Sequence, residues 1–262
     1  MNIFNHQVGK YHQIDGADIY YEITGQSGAP IILLLHGGFG SMEDFNSVIP
    51  ILTEKYNVIG VDSRGHGKST TGGKKLTYER LQKDVESLLL KLDIKNPIII
   101  GLSDGGITAY RLAASGVFKI EKLVTVGSRW HINDALITED LFLKISAESW
   151  KKKFPGTFTL YQKLNPEPDF DRLFSSLIAM WLDMGNSGYL NEQLKNLTCD
   201  LLIVRGDQDH LLSRKSAANL AGLVENSMLL NIPFAGHVTF ADQPEIFSIS
   251  LGEFLKYSRA GS

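Results

Sequence analysis

A serine between two glycines carries the clearest chemical signal in the sequence. Ser103 lies in Gly101-Leu-Ser-Asp-Gly105, after the apolar run Pro97–Ile100 and before a helical pattern over Ile107–Ala114. A strand that passes through a tight turn into a helix exposes such a hydroxyl at the end of a sheet, where it can act as a nucleophile. Glycine on both sides is needed because a Cβ there would collide with the adjoining strand or helix.

A serine nucleophile needs a base, and the base needs an acid that orients it. The turn resembles the one that carries the nucleophile in α/β-hydrolases, where the acid follows the serine and the histidine follows the acid. Of the later histidines, His131 precedes the acid candidates, and His210 directly follows Asp209 and so can hardly receive its orienting hydrogen bond. His237 remains, and we expect it to be the base for Ser103.

Four sequence blocks resemble the α/β-hydrolase superfamily, in the right order and over essentially the whole chain. His36–Ser41 is similar to the family's oxyanion loop, and Asp62–Ser69 is similar to its Asp-x-Arg-Gly-x-Gly-x-Ser element. Gly206–Asp209 resembles the acid loop, and Ala235–His237 resembles the histidine loop. The blocks are specific for the superfamily and much less so for any one substrate.

The resemblance implies a fold and a catalytic triad. The fold class is α/β, with a mostly parallel eight-stranded sheet, helices on both faces and a helical cap. The family's acid lies three residues after the glycine of its loop, which implies Asp209, with Asp207 as the alternative. Ser103, Asp209 and His237 are then the expected catalytic residues.

The resemblance also implies an oxyanion hole and a substrate pocket. The backbone N–H of Asp104 and that of Gly38 or Phe39 would face the oxyanion. We expect Phe39, Asp104, Trp130 and Trp181 to contact substrate, although both tryptophans could equally pack the cap against the core. Asp104 resembles the acid that receives a substrate ammonium in a subgroup hydrolysing amino-acid esters; alternatively, only its backbone matters.

The composition is that of an ordinary globular chain. Its 262 residues are 43% hydrophobic, which is enough to form one large core. The charged fraction is 21% and the net charge is −3, so the charge balance does not favour binding to nucleic acid. The single cysteine, Cys199, excludes an internal disulfide framework. We expect a soluble, cytoplasmic monomer or homodimer that binds a small-molecule ester and neither nucleic acid nor a membrane. The Asp207-x-Asp209-His210 cluster lacks the further ligands of a zinc site, so no metal or cofactor is expected.

Apolar periodicity predicts the main elements. The chain is expected to begin with a hairpin of two strands, Tyr11–Ile14 and Ile19–Ile23. Further short strands are expected at Ile31–Leu35, Val58–Val61, Ile98–Ile100, Leu123–Val126, Leu201–Val204 and Met228–Ile232. One helix is expected to begin at Ser41 and to break at Pro50, and another carries its apolar rhythm from Tyr78 to Leu92. Asp242 is expected to cap the last helix, with Pro244 in its first turn.

A long insertion divides the predicted core. Residues 1–129 and 198–259 should form the α/β-hydrolase core, and residues 130–197 a helical cap. Within the cap we expect helices over Leu141–Trp150 and Phe170–Trp181, and a turn at Pro155-Gly156.

The leading functional hypothesis is a serine hydrolase of a small carboxylic ester, with thioester or amide cleavage possible in the same site. An aminoacyl-ester hydrolase or a proline-iminopeptidase-like enzyme is the first alternative. The second is a ligand sensor that keeps the triad but turns over slowly, and turnover rate would distinguish it.

Overall fold

One eight-stranded sheet organises the molecule, and the computed structural model describes residues 3–258 of it. The strand order is β1-β2-β4-β3-β5-β6-β7-β8. The strands are β1 (Lys10–Ile14), β2 (Ala17–Gly25), β3 (Ile31–Leu35), β4 (Asn57–Val61), β5 (Ile98–Leu102), β6 (Lys122–Val126), β7 (Asp200–Gly206) and β8 (Ser227–Ile232). Strand β2 pairs antiparallel with β1 and β4, and all later pairings are parallel. The predicted fold class is confirmed.

Helices cover both faces of the sheet because its central strands are apolar on both sides. They are α1 (Ile49–Leu52), α2 (Tyr78–Lys91), α3 (Asp104–Ser115), α4 (Ile132–Lys144), α5 (Ala147–Lys153), α6 (Pro155–Leu164), α7 (Phe170–Trp181), α8 (Arg214–Leu223), α9 (Thr239–Asp242) and α10 (Pro244–Lys256). In β3, Leu33 packs in one core with α2, α3 and α8, while Leu34 packs in the other with α1 and α10. Alternate side chains of a strand point to opposite faces, so a continuous apolar run supplies both cores.

The helix predicted from Ser41 to Pro50 is wrong in its extent. Ser41 does cap a helix, but this is a short 3₁₀ turn over Met42–Phe45. Helix α1 then begins at Ile49, with Pro50 in its first turn. Proline lacks only an N–H that the first turn leaves unpaired anyway, so Pro50 starts a helix here instead of breaking one.

The expected caps and joints of two other helices also need correction. Asp242 is the last residue of α9 and does not cap α10; its carboxylate accepts a hydrogen bond (2.8 Å) from the N–H of Gly236 in the histidine loop. Pro155 is not a turn but the first residue of α6. The expected helix Leu141–Trp150 is divided, because Ser146 caps α5 by accepting the N–H of Ser149.

Helices α4 to α7 pack on a third apolar cluster, which also includes Phe39 and Tyr78 from the core elements. The helix predicted over Phe170–Trp181 is confirmed residue for residue. The division into core and cap itself stays a prediction, and residues 1, 2 and 259 of the predicted core lie outside the described residues.

Candidate active site

Ser103 occupies a strained turn between β5 and α3. Its backbone has φ 49° and ψ −114°, a conformation rare for any residue other than glycine. Its N–H donates to the carbonyl of Val126 (2.8 Å), which fixes it beside the end of β6. A Cβ on Gly105 would lie 1.9 Å from the Leu35 carbonyl oxygen, and one on Gly101 would lie 2.5 Å from a backbone nitrogen of α3. The glycines therefore permit the close packing that holds the turn.

His237 and Asp209 form the second part of the constellation. His237 Nδ1 lies 3.1 Å from each carboxylate oxygen of Asp209. The N–H groups of Leu211 (2.8 Å) and Leu212 (3.3 Å) also donate to Asp209 Oδ1. Burial alone would raise the pKa of Asp209, but the hydrogen bond and charge of His237 and these amides lower it below its ordinary value. Asp209 is thus held as a carboxylate that faces the imidazole.

The His237 ring reaches the end of β6, the strand next to the one that leads to Ser103. The His237 ring lies against Gly127, where a Cβ would be 2.8 Å from Nδ1. Gly127 directly follows Val126, the residue that accepts the Ser103 N–H. Within residues 3–258, no hydrogen bond joins the Ser103 hydroxyl to His237. Such contacts are often long in enzymes without substrate and shorten when one binds.

Asp207, the alternative acid, faces other partners. Its Oδ1 accepts from Arg214 Nε (2.7 Å) and from Asn231 Nδ2 (3.1 Å). These hydrogen bonds lower the pKa of Asp207 below its ordinary value. The structure therefore brings Asp209, and not Asp207, to His237.

The loop after β3 approaches the serine, since a Cβ on Gly37 would lie 3.2 Å from the Ser103 Cβ. In the part of the chain that the structure describes, the N–H groups of Gly38, Phe39 and Asp104 donate to no other residue. A Cβ on Gly38 would lie 2.7 Å from Asp104 Oδ2, so the loop after β3 closely approaches the start of α3. Free N–H groups of this kind can donate hydrogen bonds to a substrate carbonyl oxygen and stabilise the negative charge that develops on it.

The Asp104 side chain is buried and hydrogen-bonded. It is 4% exposed, and its two oxygens accept from Tyr78 Oη (2.7 Å) and Trp181 Nε1 (2.8 Å). Burial, together with the Asp104 charge, raises the pKa of Tyr78 well above its ordinary value, so Tyr78 is a neutral donor. Asp104 thus links the turn at Ser103 to α2 and α7.

Aromatic rings from α5 and α7 lie around Phe39. Its ring centroid lies 4.4 Å from that of Trp150, 5.4 Å from that of Phe170 and 5.7 Å from that of Trp181. Phe39, Asp104 and Trp181, three of the four expected substrate contacts, therefore lie together.

Trp130, the fourth, lies elsewhere. Its Nε1 donates to the backbone and side-chain oxygens of Ser216 in α8, and its ring belongs to the core beneath the sheet. Its expected role in substrate binding is therefore corrected to packing, since its one N–H is already bonded.

The sequence reasoning missed Tyr78, Tyr189 and Arg129. The apolar periodicity of α2 predicts only that Tyr78 is buried, yet its hydroxyl donates a hydrogen bond to Asp104. Arg129 follows the carboxyl end of a parallel strand, which is where sites form in open α/β sheets. That position is the signal that could have found it.

Residues 3–258 contain no cluster of three or more histidine, cysteine or carboxylate side chains that could hold a metal ion. Over the same residues, no helix combines the length and apolar character that a membrane span requires.

Comparison with known proteins decides the family. Residues 30–183, more than half of the chain, match the family model described as alpha/beta hydrolase fold. The chain belongs to the α/β-hydrolase family. This confirms the resemblance drawn from the four sequence blocks, and the protein is an enzyme of the hydrolase class.

Relatives with different names resemble this hydrolase to a similar degree. Serine hydrolase BPHL of Homo sapiens is 29% identical over 88% of this chain and 81% of its own. Proline iminopeptidase PfmaB of Pestalotiopsis fici is 25% identical over 90% of this chain and 95% of its own. The esterase EaEST of Exiguobacterium antarcticum shares the fold with a TM-score of 0.79, at 23% identity over 95% of this hydrolase and 100% of the esterase.

Proposed function

We propose that this hydrolase cleaves a small carboxylic ester through an acyl-enzyme formed on Ser103. The observation that carries the proposal is the bond from His237 to Asp209, set beside the strained turn that bears Ser103. A buried carboxylate on Nδ1 fixes the imidazole tautomer, so that Nε2 is the nitrogen available to a hydroxyl.

The reaction has two half-steps. Ser103 Oγ attacks the ester carbonyl while His237 takes its proton and then gives it to the departing alkoxide. Water, deprotonated by His237, next attacks the acyl-enzyme and releases the acid and free Ser103. Asp209 remains ionised throughout and stabilises the imidazolium that forms twice in each cycle.

The oxyanion of each tetrahedral intermediate is assigned to the N–H of Asp104 and to that of Gly38 or Phe39. Each such donor contributes about 3–4 kcal/mol to transition-state stabilisation in comparable sites. The aromatic side chains around Phe39 and Trp181 would exclude water and contact the acyl chain.

A hydrolysis screen tests the proposal. Short-chain esters, long-chain esters, thioesters and prolyl amides are offered to the parent and to Ser103→Ala, and turnovers per enzyme are counted. We expect many turnovers on a small ester and loss of at least about 10³-fold in the variant. A fluorophosphonate probe should label Ser103 by mass spectrometry. Activity retained in Ser103→Ala would refute the assignment, and a single slow turnover would favour the sensor.

Asp104 favours a second candidate, an aminoacyl-ester or iminopeptidase activity. A buried carboxylate directly after the nucleophile would attract a substrate ammonium, and one relative is called a proline iminopeptidase. The test compares aminoacyl esters with matched neutral esters in the parent and in Asp104→Asn. Equal selectivity in both proteins would exclude this candidate.

A further inference from the structure

Arg129 is a buried cation on the same sheet edge as Ser103. It lies three residues beyond Val126, the last residue of β6, whose carbonyl accepts the Ser103 N–H. Its exposed fraction is 5%, and its side chain lies against α4. The mechanism proposed above uses no part of this side chain.

The guanidinium is enclosed mainly by aromatic rings. Its central carbon lies 5.0 Å from the ring centre of Phe142 in α4 and 5.5 Å from that of Tyr189. Nη1 donates to Thr138 Oγ1 (2.8 Å). Among residues 3–258 this is its one hydrogen bond, and no carboxylate of that range pairs with it directly. Asp104 and Asp134 attract it only through space.

This arrangement leaves hydrogen-bonding capacity unused. A guanidinium is always charged and carries five N–H donors in a planar fork. The fully enclosed side-chain atoms without a partner, among the described residues, are His66 Nε2, Trp150 Nε1 and Thr239 Oγ1. No nitrogen of Arg129 is among them, so its donors without a hydrogen bond are not fully enclosed by protein atoms.

Asp104, a buried carboxylate that attracts Arg129 through space, differs in this respect. Each of its oxygens already accepts a hydrogen bond from a neutral donor, Tyr78 or Trp181. Both Asp104 oxygens are therefore engaged, whereas only one of the five N–H donors of Arg129 is. A buried charge without a bonded partner is costly, and a ligand of opposite charge offsets that cost.

We propose that Arg129 binds a carboxylate carried by the substrate, so that the preferred substrate is an ester with a free carboxyl group. A carboxylate matches the guanidinium fork through two parallel N–H···O bonds. The Phe142 and Tyr189 rings hold the fork in place. This inference rests on the proposed esterase function and names its substrate class.

Hydrolysis of matched esters tests it. Monomethyl glutarate is compared with neutral methyl pentanoate, and acetoxyacetate with ethyl acetate, so that the carboxylate lies on the acyl part in one pair and on the alcohol part in the other. We expect the parent to favour the charged member of one pair by about tenfold or more in kcat/KM. Arg129→Gln should abolish this preference through a raised KM for the charged ester, and Arg129→Lys should restore part of it. Equal losses on charged and neutral esters, or no preference in the parent, would overturn the proposal.

Binding provides a readout that does not need catalysis. Calorimetry with Ser103→Ala measures the affinity for glutarate and for its neutral analogue glutaramide. Tighter binding of glutarate, lost in Ser103→Ala/Arg129→Gln, would support the site even if no ester were hydrolysed. If Arg129→Gln does not fold, competition in the parent decides: inhibition by glutaramide as strong as that by glutarate would refute the site.

Discussion

The indole Nε1 of Trp181, the last residue of α7, lies 2.8 Å from Oδ2 of Asp104, the residue directly after Ser103. This hydrogen bond joins the predicted cap to the nucleophile turn. Asp104 is buried, so its carboxylate depends on Trp181 and Tyr78 for the bonds that water would otherwise supply.

Trp181→Phe should therefore destabilise the protein by about 1–3 kcal/mol, because it leaves one oxygen of a buried carboxylate without its donor. Trp150→Phe is the matched control, since Trp150 Nε1 is buried and has no partner among the described residues. Denaturant unfolding measures both. Equal destabilisation in the two variants would show that lost ring volume, and not the hydrogen bond, is responsible.

Ser103→Gly should raise stability while it abolishes activity. The φ of 49° costs serine about 1–3 kcal/mol, and glycine escapes this cost but loses about 0.5–1 kcal/mol through its more flexible unfolded chain. We expect a net gain of about 1 kcal/mol in the free energy of unfolding. Ser103→Ala keeps the strain and should show no such gain; a gain in both variants would contradict the strain argument.

Gly127→Ala should impair catalysis more than a glycine substitution elsewhere. The new Cβ would lie 2.8 Å from His237 Nδ1, at a φ of 59° that already disfavours alanine. A displaced imidazole should reduce kcat by about 10²-fold. Gly222→Ala in α8 is the control, because its Cβ meets nothing within 4 Å. Unchanged kcat in Gly127→Ala would mean that the ring can move aside without loss.

Asp209→Asn and Asp207→Asn should separate the two acid candidates. Asp209 faces His237, whereas Asp207 bonds to Arg214 and Asn231. We expect kcat to fall by about 10³–10⁴-fold in Asp209→Asn and by less than about tenfold in Asp207→Asn. Steady-state ester hydrolysis measures both, and the reverse order would assign the acid role to Asp207.

His6 should make stability depend on pH. It is buried, and its two ring nitrogens lie 2.6 Å from Glu43 Oε1 and 2.7 Å from Asp62 Oδ2. Ionised carboxylates only accept, so both nitrogens must carry protons. Burial alone would lower the pKa of His6, but these two carboxylates raise it above 6.5. Its neighbours also include the Tyr20 ring, stacked at 5.6 Å, Lys68, whose ammonium donates to the His6 carbonyl, and His36, which interacts with it through space.

The stabilisation from His6 is therefore complete below about pH 6.5 and is lost as pH rises through the raised pKa. His6→Asn suits the positive φ of 60° and removes the cation. Near pH 6 it should cost about 3 kcal/mol, and the difference from the parent should shrink toward pH 9. Unfolding curves across this range test the prediction, and a difference that is constant with pH would contradict it.

Sequence patterns alone predict the approximate strands, the turn at Ser103 and the order of the candidate site residues along the chain. Ile31–Leu35 was placed residue for residue because a short apolar run buried on both faces has few alternatives. Gly101 and Gly105 marked the turn because close packing excludes any Cβ there. The cap was predicted less well, since helix ends such as those at Ser146 and Pro155 depend on local capping choices that apolar periodicity does not encode.

The partner of each charged side chain, in contrast, depends on how the chain folds. Asp207 and Asp209 are two residues apart and chemically identical, yet one faces Arg214 and the other His237. Trp130 and Trp181 were equivalent as sequence signals, but they donate to Ser216 and to Asp104. Phe142, Tyr189 and Thr138 are distant from Arg129 in sequence or on another element, and they surround its guanidinium only in the folded chain. The reason is physical: hydrogen bonds and charge pairs act over a few ångströms between segments far apart in the chain, and a linear pattern does not specify those distances.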